Sequence, residues 1–62
     1  MPTLLALRYA ELMQAYLLLV EDSRRARASG EIEIADEASA KAAQAWQGIQ
    51  RVAYEARQVL QA

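Results

Sequence analysis

The side chains that could carry out chemistry are few and scattered. The chain has no His and no Cys, so acid–base catalysis would depend on carboxylates, Lys41 and the tyrosines. Glu11 and Glu55 lie in the middle of predicted helices on the side that we expect to face water. A zinc site would need His or Cys ligands, and a carboxylate metal centre in a helical bundle would need Glu-x-x-His pairs. We therefore expect no enzymatic activity, no metal and no cofactor.

Three arginines form the densest basic group, at the end of the first predicted helix. Arg24, Arg25 and Arg27 could bind phosphate, or they could stabilise the negative helix end and pair with nearby acids. The acids within reach along the chain are Glu21, Asp22, Glu31 and Glu33. Because these acids cancel the field of the arginines, we favour the pairing.

A second basic group lies near the C-terminus. Arg51, Tyr54 and Arg57 are spaced three residues apart on one side of a predicted helix. Arginine with an interleaved aromatic ring can contact phosphate and stack on a base. The alternative is an ordinary exposed helix face with the tyrosine half-packed on the bundle, and we favour it because no recognised motif supports nucleic-acid binding.

Size and composition point to self-association. The 62 residues are 55% hydrophobic and 24% charged, with a formal net charge of −1. This composition is typical of a globular protein. One chain of this length, however, buries so little apolar surface that it is only marginally stable unless disulfides, a metal or oligomerisation stabilise it. The longest uncharged stretch, Leu12 to Val20, is short for a membrane span, and the N-terminus has no basic signal-peptide region. We expect a soluble, cytoplasmic protein that does not bind membranes.

Heptad spacing predicts two helices. The apolar seam of the first follows steps of four and three residues through Leu5, Tyr9, Leu12, Tyr16 and Leu19. The seam of the second is made of smaller residues: Ala38, Ala42, Ala45, Ile49, Val52, Ala56 and Val59. Ser29-Gly30 suits a helix end, and Gly48 is costly inside a helix unless a neighbour packs closely.

The fold class that follows is all-α. Residues 1–62 form one antiparallel two-helix hairpin, with a helix at about 3–28, a turn at about 29–34 and a helix at about 35–61. The second helix could start anywhere from Glu31 to Asp36. Ile32 and Ile34 are predicted to cover the end of the core.

Each helix carries an apolar stripe beyond its seam. One stripe on the first helix includes Ala6 and Ala10, and the second helix repeats Trp46, Ala53 and Leu60 one heptad apart. Two hairpins packed on these stripes would form a dimeric four-helix bundle. The predicted dimer or partner interface is Met13, Leu17, Val20, Trp46, Ala53 and Leu60.

The predicted function is that of a small regulatory or adaptor protein acting through protein–protein contacts as a homodimer. In layout the hairpin resembles Rop, a small plasmid-encoded RNA-binding protein, although no functional residues match. The alternatives are accordingly a nucleic-acid-binding regulator of similar layout that uses Arg51, Tyr54 and Arg57, or a scaffold subunit of a larger assembly.

Overall fold

The protein is an all-α hairpin. The computed structural model describes residues 3–61, in which α1 spans Thr3–Ala28 and α2 spans Ile32–Gln61. The two helices pack antiparallel, and the Cα trace measures 49 × 15 × 11 Å. The described residues form only these two helices, which pack side by side, so this part of the molecule is a single layer of two helices.

The turn is a helix-ending motif built on Gly30. The amide of Glu31 donates to the carbonyl of Ala26 at 2.8 Å, and the amide of Gly30 donates to the carbonyl of Arg27 at 3.1 Å. These are the two hydrogen bonds of a Schellman motif, which requires a left-handed residue between them. Gly30 supplies it with φ of +79°.

The second helix begins at Ile32, three residues before the predicted start at about residue 35. Glu31 precedes the helix and accepts the first helical hydrogen bond from the amide of Ala35. Ile32 and Ile34 are 49% and 55% exposed, and Ile34 lies beside Leu19 and Ala38 at the edge of the core. Ala35, at 0% exposure, is the residue of the first turn that is fully buried.

The core lies between the two seams and consists mostly of small residues. On α2 the buried residues are Ala35, Ala38, Ala42, Ile49, Val52 and Ala56. On α1 only Ser23 and Ala26 are buried, while Leu5, Leu12, Tyr16 and Leu19 are half-buried and Tyr9 is exposed. The large side chains of α1 therefore lie over small residues of α2 and stay partly open to solvent.

Gly48, which lies inside α2, packs closely against a side chain of α1. A Cβ atom at residue 48 would lie 3.4 Å from both Cδ atoms of Leu12. This is ordinary van der Waals contact, so the leucine side chain of α1 packs directly against the α2 backbone.

Candidate protein interaction surface

The hairpin has two flanks of opposite character. We call one the apolar flank; it consists of Ala6, Ala10, Met13, Leu17 and Val20 of α1 with Ser39, Ala43, Trp46, Ala53 and Leu60 of α2. We call the other the charged flank; its charged residues are Arg8, Glu11, Asp22 and Arg25 of α1 with Glu37, Lys41, Arg51 and Glu55 of α2. Each set follows the heptad positions on one side of the seam. On the apolar flank the same positions also hold polar and charged residues, most of them near its two ends: Arg24, Arg27, Asp36, Gln50 and Arg57.

A groove marks the centre of the apolar flank. It is lined by Val20 of α1 and by Ser39, Ala43 and Trp46 of α2, with Tyr16, Ser23 and Ala42 at its floor and edge. The rings of Tyr16 and Trp46 meet with centroids 5.3 Å apart at an angle of 43°, a tilted aromatic contact. Trp46 is still 44% exposed, so this contact leaves much of the indole uncovered.

The predicted interface residues lie along this flank with much of their surface uncovered. Leu17 is 58% and Leu60 is 71% exposed, and Met13, Val20 and Ala53 are half-buried. Val20 and Trp46 share the central groove, whereas Ala53 and Leu60 continue the strip toward the C-terminus. Contact of these residues with a partner stays a prediction.

The charged flank has a different chemistry. Its groove is lined by Leu19, Asp22, Ile34, Glu37, Ala38 and Lys41. The Lys41 ammonium lies 3.5 Å from the Glu37 carboxylate one turn earlier, and Arg25 pairs with Glu21 at 2.8 Å. Such pairs are well solvated and contribute little to stability, but they leave this flank compatible with water.

Two of the three arginines near the turn pair with acids, Arg25 with Glu21 and Arg27 with Asp36. Arg27 contacts Asp36 of α2 at 3.4 Å rather than Glu31 or Glu33. Arg24 lies beside Leu17, Val20 and Glu21 on α1. Arg51, Tyr54 and Arg57 are all exposed, Tyr54 at 63%, and within residues 3–61 neither Arg51 nor Arg57 forms an ion pair.

A hydrogen bond between buried Ser23 and exposed Ser39 near the turn was not anticipated from the sequence. Ser23 Oγ donates to the carbonyl of Ala35 at 3.0 Å and lies 2.6 Å from Ser39 Oγ. Ser39 is the donor in the second bond, because the Ser23 proton is already engaged. The heptad pattern does indicate that Ser23 lies in the seam. The steps of four and three continue from Leu19 to Ser23 and Ala26 on α1, and backward from Ala38 to Ala35 on α2.

Among residues 3–61, no cluster of three or more acidic side chains is arranged to hold a metal ion. Helix α1 is long and apolar enough to cross a membrane by length and composition, and no residue of its stretch from Thr3 to Val20 is fully buried in the hairpin. A core helix or a signal sequence passes the same test, so this feature assigns no location.

Comparison with protein-family models, curated proteins and solved structures finds no match to this chain.

Proposed function

We propose that this chain is a non-enzymatic protein interaction module that acts as a homodimer, with the apolar flanks of two hairpins packed together in a four-helix bundle. A small cytoplasmic regulator or adaptor fits this arrangement. The observation that carries the proposal is the uncovered apolar flank, a contiguous strip of Leu, Met, Val and Trp on a single-layer molecule. Stable domains bury such a strip against a second layer.

The exposed area supports a partner of the same size. The chain has 4780 Å² of accessible surface, whereas a compact protein of 6.9 kDa has roughly 4,000 Å². The difference of about 800 Å² equals what each partner buries in an interface of standard size. One further hairpin on the apolar flank would remove about this area.

The shape gives the same indication. The radius of gyration is 14.3 Å, and a compact chain of this length would have about 10.6 Å. Two hairpins side by side add thickness without adding length, so the pair is closer to globular than either copy. The formal net charge of −1 per copy adds little repulsion between them.

The test uses two adjacent leucines of nearly equal exposure. Leu17 lies on the apolar flank and is 58% exposed, whereas Leu18 lies on the charged flank and is 55% exposed. For the unaltered chain we expect a dimer in sedimentation equilibrium, with a Kd in the micromolar range or below. Leu17→Glu should weaken it at least about 100-fold because the carboxylate is buried without a partner.

Leu18→Glu is the matched control and should change the Kd by less than about threefold. Far-ultraviolet circular dichroism of each variant at high concentration reports whether the helices persist. A monomer at hundreds of micromolar, or equal effects of the two variants, would contradict the proposal. Binding of the unaltered chain to lipid vesicles in place of dimerisation would instead assign the apolar α1 to a membrane.

The first alternative function rests on the outer face of α2, which shares Arg57 with the edge of the apolar flank. Arg51, Tyr54 and Arg57 are exposed on α2 away from the core, a placement compatible with nucleic-acid binding. Such binding would weaken steeply as salt is raised, while packing of apolar flanks would not. A scaffold role would instead require the apolar flank to be filled by a different protein, and the isolated chain would then be monomeric.

A further inference from the structure

The α2 side of the apolar flank forms one heptad stripe along the whole helix. Starting at Ile32 and ending at Leu60, it proceeds in steps of four and three residues, with Trp46 in the middle. Trp46 is also at the centre of α2, which spans Ile32–Gln61. Every residue of the stripe is exposed except Ala53, which is half-buried.

The residue types of this stripe are complementary to the same stripe in reverse order. About Trp46, Ile32 matches Leu60 and Ser39 matches Ala53, so large apolar residues face each other and small ones face each other, whereas Ala43 faces the polar Gln50. Asp36 matches Arg57, which places opposite charges together. A two-fold axis requires this kind of self-complementarity, since a patch must fit a second copy of itself.

Resting on the proposed dimer, we infer that the two hairpins pack with their turns at opposite ends, so that α2 lies antiparallel to α2 of the second copy and Trp46 is at the two-fold axis. Asp36 of each copy, whose carboxylate also contacts Arg27 of its own chain at 3.4 Å, then lies opposite Arg57 of the other. The two residues are 21 positions apart on one helix, about 31 Å, so this pairing cannot form within a single chain.

The stripe on α1 fits the same axis. About Met13, Ala6 matches Val20 and Ala10 matches Leu17, so a small residue faces a larger one in each pair. Leu12 contacts Gly48, and Tyr16 contacts Trp46. The centres of the two stripes therefore differ by only one to three residues, or about 2–5 Å along the hairpin.

In the alternative arrangement, with both turns at the same end, the two copies are less complementary at the end of the hairpin opposite the turn. It would place α1 over α2 of the second copy in the register that the Leu12–Gly48 and Tyr16–Trp46 contacts set. Arg57 would then lie level with Thr3 to Leu5, where there is no acidic residue, and the two Arg57 side chains would come to the same end of the bundle. With the turns at opposite ends, Leu60 gains an apolar neighbour and Arg57 gains an acid.

A spin-label measurement separates the two arrangements. The chain has no Cys, so Ser29→Cys in the exposed turn gives one labelling site per copy. Turns at opposite ends predict a label separation of about 40 Å or more in the dimer, because each hairpin contains a 26-residue helix of that length. A separation of about 10–20 Å, the spacing of packed helices, would overturn the inference while leaving the dimer intact.

Absence of dipolar coupling with a monomeric sedimentation profile would instead contradict the proposed dimer itself.

A second experiment tests the register by mixing the variants Asp36→Arg and Arg57→Asp. Each variant alone faces like charges, whereas the mixed pair restores both contacts, so we expect heterodimers to be preferred roughly tenfold over random mixing. The same mixture of Asp36→Arg with Lys41→Asp, a cation on the charged flank, is the control. Random mixing in the first pair would overturn the register.

Discussion

Leu17 and Leu18 are adjacent and almost equally exposed, yet they belong to surfaces with different consequences. Around Leu17, the neighbours at heptad spacing include Ala10, Met13 and Val20, so the exposed apolar area continues toward the N-terminus, whereas Glu21 and Arg24 lie on its turn side. Around Leu18, they are Glu11 and Arg25, which keep the surface hydrated. The comparison shows that the exposure of one side chain does not identify an interface, because isolated surface leucines are common and extended apolar strips are rare.

The two flanks also differ in how they relate to the core. On the charged flank, Leu12 packs onto Gly48, and close approach of the helices covers the space between them. On the apolar flank, Tyr16 and Trp46 hold the edges of a groove whose base is made of Ser and Ala side chains. A groove of small residues beside an exposed indole can receive side chains from a second copy.

Among substitutions that test the difference between the two flanks, the largest effect on the dimer Kd is expected at Trp46. Trp46→Ala should raise the dimer Kd at least about 30-fold, since a large indole near an interface centre commonly contributes 2 kcal/mol or more. Tyr54→Ala removes an aromatic ring from the outer face of the same helix and should leave the Kd within about threefold. Analytical ultracentrifugation of both variants measures the contrast, and equal losses would mean that the apolar flank is not the contact.

A smaller effect is expected when either glycine is replaced by alanine. The two substitutions should change the free energy of unfolding in opposite directions. Gly48→Ala should raise the free energy of unfolding by about 0.5–1 kcal/mol, because helical Gly is costly and the new Cβ fits beside Leu12 at 3.4 Å. Gly30→Ala should lower it by about 1 kcal/mol, because φ is +79°. Urea unfolding at one fixed protein concentration measures both, and a destabilising Gly48→Ala would show that Leu12 packs closer than described.

The smallest effect is expected on the charged flank. Lys41→Glu removes the exposed contact with Glu37 at 3.5 Å and should change the free energy of unfolding by less than about 0.5 kcal/mol. The dimer Kd should also stay within about threefold. A large loss in either quantity would mean that this flank is covered too, and the contrast between the flanks would fail.

Some features were readable from the spacing of a few residues. The seam from Leu5 to Leu19 and the seam from Ala38 to Ala56 face each other in the hairpin, and Ser29-Gly30 marks the turn. The start of α2 could be predicted only as a range from Glu31 to Asp36, because Glu-Ile-Glu-Ile alternates in polarity and hides a helix in so short a segment. The helix begins at Ile32, inside that range. Ser23 was missed because a hydroxyl residue in a charged stretch gives no apolar signal. Its heptad position, in line with the seam of α1, nevertheless indicates burial.

The sequence by itself determined that the protein is a helical hairpin, because heptad periodicity and a left-handed glycine are local properties of the chain. It also determined the composition of each flank, since a helix assigns every residue to a side. Only the tertiary structure decided which residues are buried. Close approach near the turn hides Ser23, Ala26 and Ala35, while the larger Leu17, Trp46 and Leu60 remain uncovered. Burial depends on the distance between two helices, and that distance is set jointly by side chains that are far apart in the sequence.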